Sequence, residues 1–92
     1  MTDWKKVEYR FAKRLGGRRV GILGKEDIMT DKYSYEIKVR KELPKFLKDS
    51  YQQSVNNSLE GKIPVLVLKE KHRPYKESLV ILCLEDFLEL TK

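Results

Sequence analysis

The stretch YSYEIKVR, residues 33–40, decides how the fold is interpreted, because its polar and apolar residues alternate as in a β-strand. Successive strand side chains point to opposite faces of a sheet. One face would carry Tyr33, Tyr35, Ile37 and Val39, and the other Ser34, Glu36, Lys38 and Arg40. The simplest interpretation is a half-exposed strand whose Glu36 and Lys38 form a weak surface ion pair. A functional interpretation needs support from the rest of the chain.

The composition indicates one globular domain with a basic half. The chain has 92 residues, 40% hydrophobic and 37% charged, which suits a single domain over residues 1–92. Its net charge is +6 and its pI about 9.5. Residues 1–48 hold 14 basic and 7 acidic residues, whereas residues 49–92 hold 6 and 7. Because Lys and Arg gain free energy by releasing counterions from phosphates, the basic half favours a nucleic-acid partner.

Cysteine and hydropathy patterns indicate an intracellular protein. Cys83 is the single cysteine, so an internal disulfide cannot form and a reducing, cytoplasmic compartment is expected. His72 stands alone in a charged segment, so no zinc-binding spacing exists. The N-terminal MTDWKKVEYR is too charged for a signal peptide, and no apolar run is long enough to cross a bilayer. We therefore expect no membrane partner.

Periodicity and turn residues predict eight elements in the order α-β-β-β-α-β-β-α. A helix over residues 3–15, ended by Gly16-Gly17, precedes strands over 18–23, 27–29 and 33–40, with a turn at residues 30–32 between the last two. A second helix from Pro44 to about residue 59 precedes strands over 65–69 and 78–83 and a helix over 84–90. The apolar run VLVLK at 65–69 is typical of a strand covered on both faces. The predicted fold is α/β, with a mixed five-stranded sheet flanked by helices.

Glu8 is the first residue that the simplest interpretation does not explain. At helical spacing it falls on the apolar stripe of the first helix, among Trp4, Phe11 and Leu15. Burying a carboxylate costs on the order of several kcal/mol unless a partner compensates. Glu8 would therefore lie at the edge of the stripe, pair with a lysine, or bind a metal ion.

Asp27, Glu36 and Lys38 form the pattern D-x8-E-x-K across two strands joined by a tight turn. Asp27 alone is a common type of turn residue after a glycine. A hairpin of this length, however, would bring Asp27 beside Glu36. Two adjacent carboxylates repel each other unless a cation lies between them, and hard oxygen ligands suit magnesium or manganese. Lys38 would orient an attacking water or stabilise the charge that develops on a phosphate.

This pattern follows a basic helix that carries a Glu. The combination resembles the PD-(D/E)xK nuclease superfamily and its restriction-endonuclease-like core. The chain is most similar to the small Holliday-junction resolvases of archaea and bacteriophages. The similarity extends over nearly the whole chain, through the segments LGGRRV, GKEDI, YEIKVRK, EGKIPVLVLK and DFLEL. One departure is that Glu26, and not a proline, precedes Asp27, which lowers the specificity of the motif.

The resemblance implies a role for each matching position. Asp27, Glu36 and the main-chain carbonyl of Ile37 would bind Mg²⁺ or Mn²⁺, Glu8 would act from the helix, and Lys38 would be the catalytic lysine. A glutamine of the second helix, Gln53 or alternatively Gln52, would join the site, unless both lie on an ordinary solvated helix face. Phosphate contacts would come from basic side chains of the first half: Lys13, Arg14, Arg18, Arg19, Lys25, Arg40 and Lys41.

The sequence thus predicts a magnesium-dependent endodeoxyribonuclease that acts on branched DNA in recombination or repair. One domain offers one active site, whereas resolving a four-way junction needs two symmetric cuts, so a homodimer is expected. If the protein is an enzyme, the alternative is a nicking, repair or restriction-type nuclease. If it is not an enzyme, the alternatives are an inactive DNA-binding module of the same fold and a protein-interaction adaptor. The adaptor would explain the charge but not a buried Glu8.

Overall fold

A computed structural model describes residues 3–19 and 28–92 of the chain. Within these residues the protein is a small α/β structure with three α-helices and two antiparallel sheets, one of three strands and one of two. The order of the elements is the predicted one. The chain divides into two compact units, Met1–Lys41 and Glu42–Lys92.

In the first unit, helix α1 (Asp3–Leu15) ends at a glycine pair, as the sequence predicts. Gly16 adopts a φ of 70°, a left-handed conformation that glycine reaches without a steric penalty. The N–H of Gly16 donates to the carbonyl of Lys13 at 3.4 Å, and the N–H of Gly17 donates to that of Ala12 at 2.9 Å. These two bonds form a Schellman motif, which satisfies the last carbonyls of the helix.

Strands β1 (Arg18–Arg19), β2 (Ile28–Met29) and β3 (Ser34–Tyr35) form the first sheet in that order. Ile28 pairs with Arg19 on one side and with Tyr35 on the other. The predicted turn between β2 and β3 is confirmed, since Thr30 and Tyr33 exchange hydrogen bonds. The N–H of Thr30 donates to the carbonyl of Tyr33, and the N–H of Tyr33 donates to the Thr30 hydroxyl, both at 2.9 Å.

The core of this unit lies where α1 packs against β1 and β2. Ile28 is fully buried and Ala12 nearly so. Gly17 makes the close approach possible, because a Cβ at this position would lie 2.7 Å from the carbonyl oxygen of Met29 and 2.8 Å from Cγ2 of Ile28. Any larger residue would have to push the chain away from β2.

The second unit contains α2 (Lys45–Asn57), β4 (Leu66–Leu68), a short 3-10 helix (Tyr75–Glu77), β5 (Leu79–Ile81) and α3 (Leu84–Leu90). β4 and β5 are antiparallel, with Val67 opposite Val80, and α2 packs on β4. The Tyr51 hydroxyl on α2 accepts a hydrogen bond from the N–H of Cys83 at 3.2 Å, which ties α2 to the start of α3. Burial raises the pKa of Tyr51. No residue of 42–92 is fully buried.

The ends of several predicted elements are corrected. The third strand ends at Tyr35, and residues 36–40 are not strand. α2 ends at Asn57, because Ser58 turns to an extended conformation and its hydroxyl lies 3.3 Å from the carbonyl oxygen of Lys62. The described strands form two antiparallel sheets, one of three strands and one of two.

Candidate functional site

Glu8 is buried, as its place on the apolar stripe predicts. Only 7% of the residue is exposed, and it lies on the side of α1 that packs against the sheet. Its carboxylate oxygen Oε2 is 3.5 Å from Nη2 of Arg19 on β1. The described residues thus give Glu8 a cationic partner, but this partner is an arginine and not the lysine that the sequence suggests.

Arg19 reaches Glu8 because of its register in the sheet. It pairs with the fully buried Ile28, and paired residues share a face, so its side chain leaves the sheet towards α1. The guanidinium carbon lies 4.9 Å from the centre of the Tyr9 ring, a cation–π distance. The side chain is 22% exposed, and its Nε has no hydrogen-bond partner among the described residues. Arg19 therefore connects the buried carboxylate to the half-exposed ring of Tyr9.

Glu36 and Lys38 lie side by side in solvent just after β3. Lys38 Nζ is 3.3 Å from Glu36 Oε1, and the two side chains are 75% and 52% exposed respectively. An ion pair with this exposure stabilises the protein by less than about 1 kcal/mol. The pair is thus free to meet a ligand at little cost. Ile37, whose carbonyl is a predicted metal ligand, is half-buried between them.

Tyr35, which precedes Glu36 in the chain, forms an aromatic pair with Tyr33. Its ring centre lies 6.0 Å from that of Tyr33, and the two rings are tilted by 50°. Burial, and to a smaller extent the neighbouring Tyr33, raise the pKa of the Tyr35 phenol. The phenol therefore stays neutral beside Glu36 well into the alkaline range.

The donor chemistry of the predicted metal site suits magnesium or manganese, because Glu8 and Glu36 both offer carboxylate oxygens. Asp27 and Lys25 lie outside the described residues. Among residues 3–19 and 28–92, no group of three His, Cys, Asp or Glu side chains could hold a metal ion. The described residues thus contain two of the three predicted carboxylates and not a complete ligand set.

The excess of basic over acidic residues lies entirely in the first unit. Residues 1–41 hold 12 basic and 6 acidic residues, whereas residues 42–92 hold 8 of each. Most of the predicted phosphate contacts that the structure describes are solvent-exposed: Lys13, Arg14, Arg18, Arg40 and Lys41. The sixth, Arg19, is half-buried against Glu8. The exposed basic residues could neutralise phosphates without any rearrangement of the core.

Both candidate glutamines lie on an exposed side of α2, in the second unit. Gln52 donates from Nε2 to Oδ1 of Asn56 at 3.0 Å, one turn further along the helix. Gln52 also lines an open groove of about 400 Å³ together with Leu47, Tyr51 and Ile81. The choice between Gln52 and Gln53 as a site residue remains a prediction.

The sequence interpretation missed the contact between Glu8 and Arg19. It assigned Arg19 to phosphate binding and considered a lysine as the cationic partner of Glu8. The signal was present in the dipeptide Arg18-Arg19, because two consecutive strand residues point to opposite faces and one of them must face the helix. The pattern does not say which of the two faces the helix; in the structure Arg18 is the exposed member.

Comparison of the chain with models of protein families, with curated proteins and with solved structures gives no match. A function must therefore be argued from the residues and their geometry. Of the helices in residues 3–19 and 28–92, none is long and apolar enough to span a membrane.

Proposed function

We propose that the protein is a metal-dependent endodeoxyribonuclease of the PD-(D/E)xK type that hydrolyses phosphodiesters in branched DNA, in the manner of a Holliday-junction resolvase. The observation that carries the proposal is the register of β2 and β3. Ile28 pairs with Tyr35, and these two residues are the sequence neighbours of Asp27 and Glu36. A hairpin in this register is what the D-x8-E-x-K spacing requires.

Each predicted site residue has a role in this proposal. Asp27, Glu36 and the carbonyl of Ile37 would hold Mg²⁺ or Mn²⁺, and Glu8 would complete the set from α1. The bound ion would supply Lewis-acid stabilisation of the charge that builds on the phosphate. Lys38, already within 3.3 Å of Glu36, would orient the attacking water through its ammonium group. Gln53 or Gln52 would assist from α2.

The basic first unit would supply the affinity for DNA. Its exposed cations would contact phosphates, which positions the protein without reading base sequence. Selectivity would then come from the shape of the DNA, which agrees with a branched substrate. The mixed five-stranded sheet of a restriction-endonuclease-like core belongs to this proposal as well. A separate two-stranded sheet of three-residue strands, such as β4 and β5, is marginally stable and gains from further pairing.

A second candidate is a DNA-binding module of the same fold that has no catalytic activity. It is favoured by the ion pair between Glu8 and Arg19, which already neutralises the buried carboxylate. The concentration of the net charge in residues 1–41 fits this candidate equally well. The two candidates differ in one property, which is hydrolysis of the bound DNA.

The decisive experiment is to incubate labelled four-way junction, duplex and single-stranded DNA with the protein, with and without Mg²⁺. We expect cleavage of the junction only with Mg²⁺ or Mn²⁺. Glu36→Gln and Lys38→Ala should each lower the cleavage rate at least about 100-fold, because each removes a charge that acts on the reacting phosphate. DNA affinity should change little in either variant.

Matched controls separate the loss of a site residue from the loss of a charge. Asp31→Asn and Lys32→Ala change exposed residues of the preceding turn and should retain wild-type cleavage. Binding that weakens with salt but never leads to cleavage would support the inactive module. Wild-type cleavage by Glu36→Gln would refute the assignment of the metal site.

A further inference from the structure

The loop between β4 and β5 (residues 69–77, the β4–β5 loop) concentrates positive charge in a unit whose basic and acidic residues balance. It holds four of the eight basic residues of the second unit and two of its eight acidic ones. Both of these carboxylates lie against one cation, because Arg73 places Nε 3.5 Å from Oε2 of Glu70 and Nη2 2.9 Å from Oε1 of Glu77. The positive charge that remains in the loop comes from its lysines: Lys69, Lys71 and Lys76.

Tyr75 holds an aromatic ring in solvent beside these lysines. The residue is 85% exposed, although it starts a short 3-10 helix whose hydrogen bonds fix its backbone. The N–H of Glu77 donates to the carbonyl of Pro74, and the N–H of Ser78 donates to that of Tyr75, both at 3.0 Å. The ammonium group of Lys69 lies 4.9 Å from the ring centre, a cation–π distance. The loop thus presents a flat, largely uncovered ring with a positive charge close to it.

The surroundings of Tyr75 favour a nucleic-acid partner over a protein partner. Aromatic residues that anchor a protein partner stand at the desolvated centre of an interface, from which charged residues are depleted. Tyr75 instead has Lys76 and Glu77 directly after it and Lys69 against its ring. Proteins that hold single-stranded nucleic acid combine these same features, because bases stack on the aromatic ring while cations contact the backbone. The bases of a duplex offer no free face to the ring, since they are stacked on one another.

We infer that the β4–β5 loop binds single-stranded DNA, with an unpaired base stacked on Tyr75 and the adjacent phosphates held by Lys71 and Lys76. Both lysines are exposed. Because Tyr75 is 85% exposed with Lys69 already in place, a base can stack without displacing the ammonium group. The choice of DNA rests on the proposed function, whereas the stacking needs neither catalysis nor a metal ion. Branched DNA with an unpaired segment, such as a flap or a gap, supplies such a base.

The test is the fluorescence anisotropy of labelled oligothymidylate, titrated with the full chain in EDTA so that metal-dependent cleavage cannot occur. We expect Tyr75→Ala to bind about tenfold more weakly than the wild type, the typical loss when one stacked base loses its aromatic partner. Tyr75→Phe keeps the ring and should bind within about twofold of the wild type. An abasic oligonucleotide of the same length should bind the wild type and Tyr75→Ala equally, because it has no base to stack.

The lysines are tested by single variants with a matched control. Lys71→Gln and Lys76→Gln should each weaken the binding of both oligonucleotides and reduce its salt dependence, because a lysine that contacts a phosphate releases a counterion. Lys62→Gln removes one exposed lysine of the same unit outside the loop, so it reports the general effect of net charge. It should change the affinity much less than either loop variant.

The outcomes distinguish this inference from the proposed function. A wild type that does not bind oligothymidylate, or a Tyr75→Ala variant that binds it like the wild type, would overturn the inference and point to a protein partner for the loop. An equal loss with the abasic oligonucleotide would exclude stacking, and tighter binding of oligouridylate than of oligothymidylate would exclude the choice of DNA. Weaker binding by Tyr75→Ala in a protein that hydrolyses no DNA would refute the nuclease and leave this inference standing.

Discussion

At the scale of single residues, burial explains which side chains of the site are constrained. Glu8 and Ile28 are buried and held by neighbours, whereas Glu36 and Lys38 stand in solvent one to three residues beyond β3. The proposed site would have a buried side on the helix and an exposed side on the chain that follows the hairpin. The exposed side could contact a phosphate without disturbing the core.

Tyr35 offers a test of the hairpin through the pH dependence of stability. Because burial raises its pKa, the phenol loses its proton in the unfolded chain before it does so in the folded one. Its contribution to stability is therefore complete below about pH 10 and is lost as the pH rises through the folded pKa. We expect the free energy of unfolding to fall above about pH 10, and Tyr35→Phe, which cannot ionise, to reduce that fall.

The measurement is urea unfolding at a series of alkaline pH values. Tyr75→Phe alters a phenol on a residue that is 85% exposed, and it should show the wild-type dependence on pH. An unchanged alkaline slope in Tyr35→Phe would mean that the burial of Tyr35 does not influence stability.

At the scale of the elements, the turn between α1 and β1 decides how closely the helix approaches the sheet. Gly17→Ala would place a Cβ 2.7 Å from the Met29 carbonyl oxygen, which is backbone and cannot rotate away. We expect a loss of about 2–3 kcal/mol in the free energy of unfolding, typical of overpacking. Gly16→Ala has space for its Cβ but is strained at a φ of 70°, so we expect a loss of about 1–2 kcal/mol.

Urea unfolding monitored by circular dichroism would measure both losses. Gly16→Asn is the matched control, because asparagine tolerates the left-handed conformation and should lose less stability than Gly16→Ala. If Gly17→Ala were as stable as the wild type, the close contact between the turn and β2 would be refuted.

The elements show which parts of the fold can be predicted from sequence. Helical periodicity located α1, a glycine pair located its end, and Thr30 located the hairpin turn, because all three are local signals. The predicted length of the third strand was wrong, because alternation over residues 33–40 does not show how many residues of a neighbouring strand can pair with it. The mixed sheet was predicted from the order of the elements and from an apolar run, and neither specifies which strands pair.

The candidate site shows the same limit. The burial of Glu8 followed from its position on the helix, but its contact with Arg19 depends on the register of β1 with β2, which no local pattern specifies. The side-by-side arrangement of Glu36 and Lys38 followed from their spacing of two residues. Their exposure did not, because it depends on where β3 ends.

At the scale of the whole molecule, the apolar residues of the second unit exceed what that unit buries. Val67 and Val80 face each other across β4 and β5 and are 59% and 60% exposed. Leu79 in β5 and Leu90 in α3 are more than half exposed as well. Apolar surface of this kind often marks an interface with another protein.

A homodimer agrees with both this surface and the proposed reaction. Resolving a four-way junction needs two symmetric cuts, and one chain offers one site. A two-fold dimer supplies two sites by using the same patch on both subunits. We therefore propose that the face of β4 and β5 which carries Val67 and Val80 contacts a second copy of the chain.

Light scattering coupled to size-exclusion chromatography at micromolar concentration tests this proposal. We expect a dimer for the wild type, and a monomer for the double variant Val67→Lys and Val80→Lys, because four lysines of a two-fold interface would repel one another. Val39→Lys, which changes a valine that is 67% exposed in the first unit, should remain a dimer. A monomeric wild type that nicks one strand would leave the nuclease chemistry intact but exclude junction resolution by paired cuts, since a single site cannot cut two strands at once.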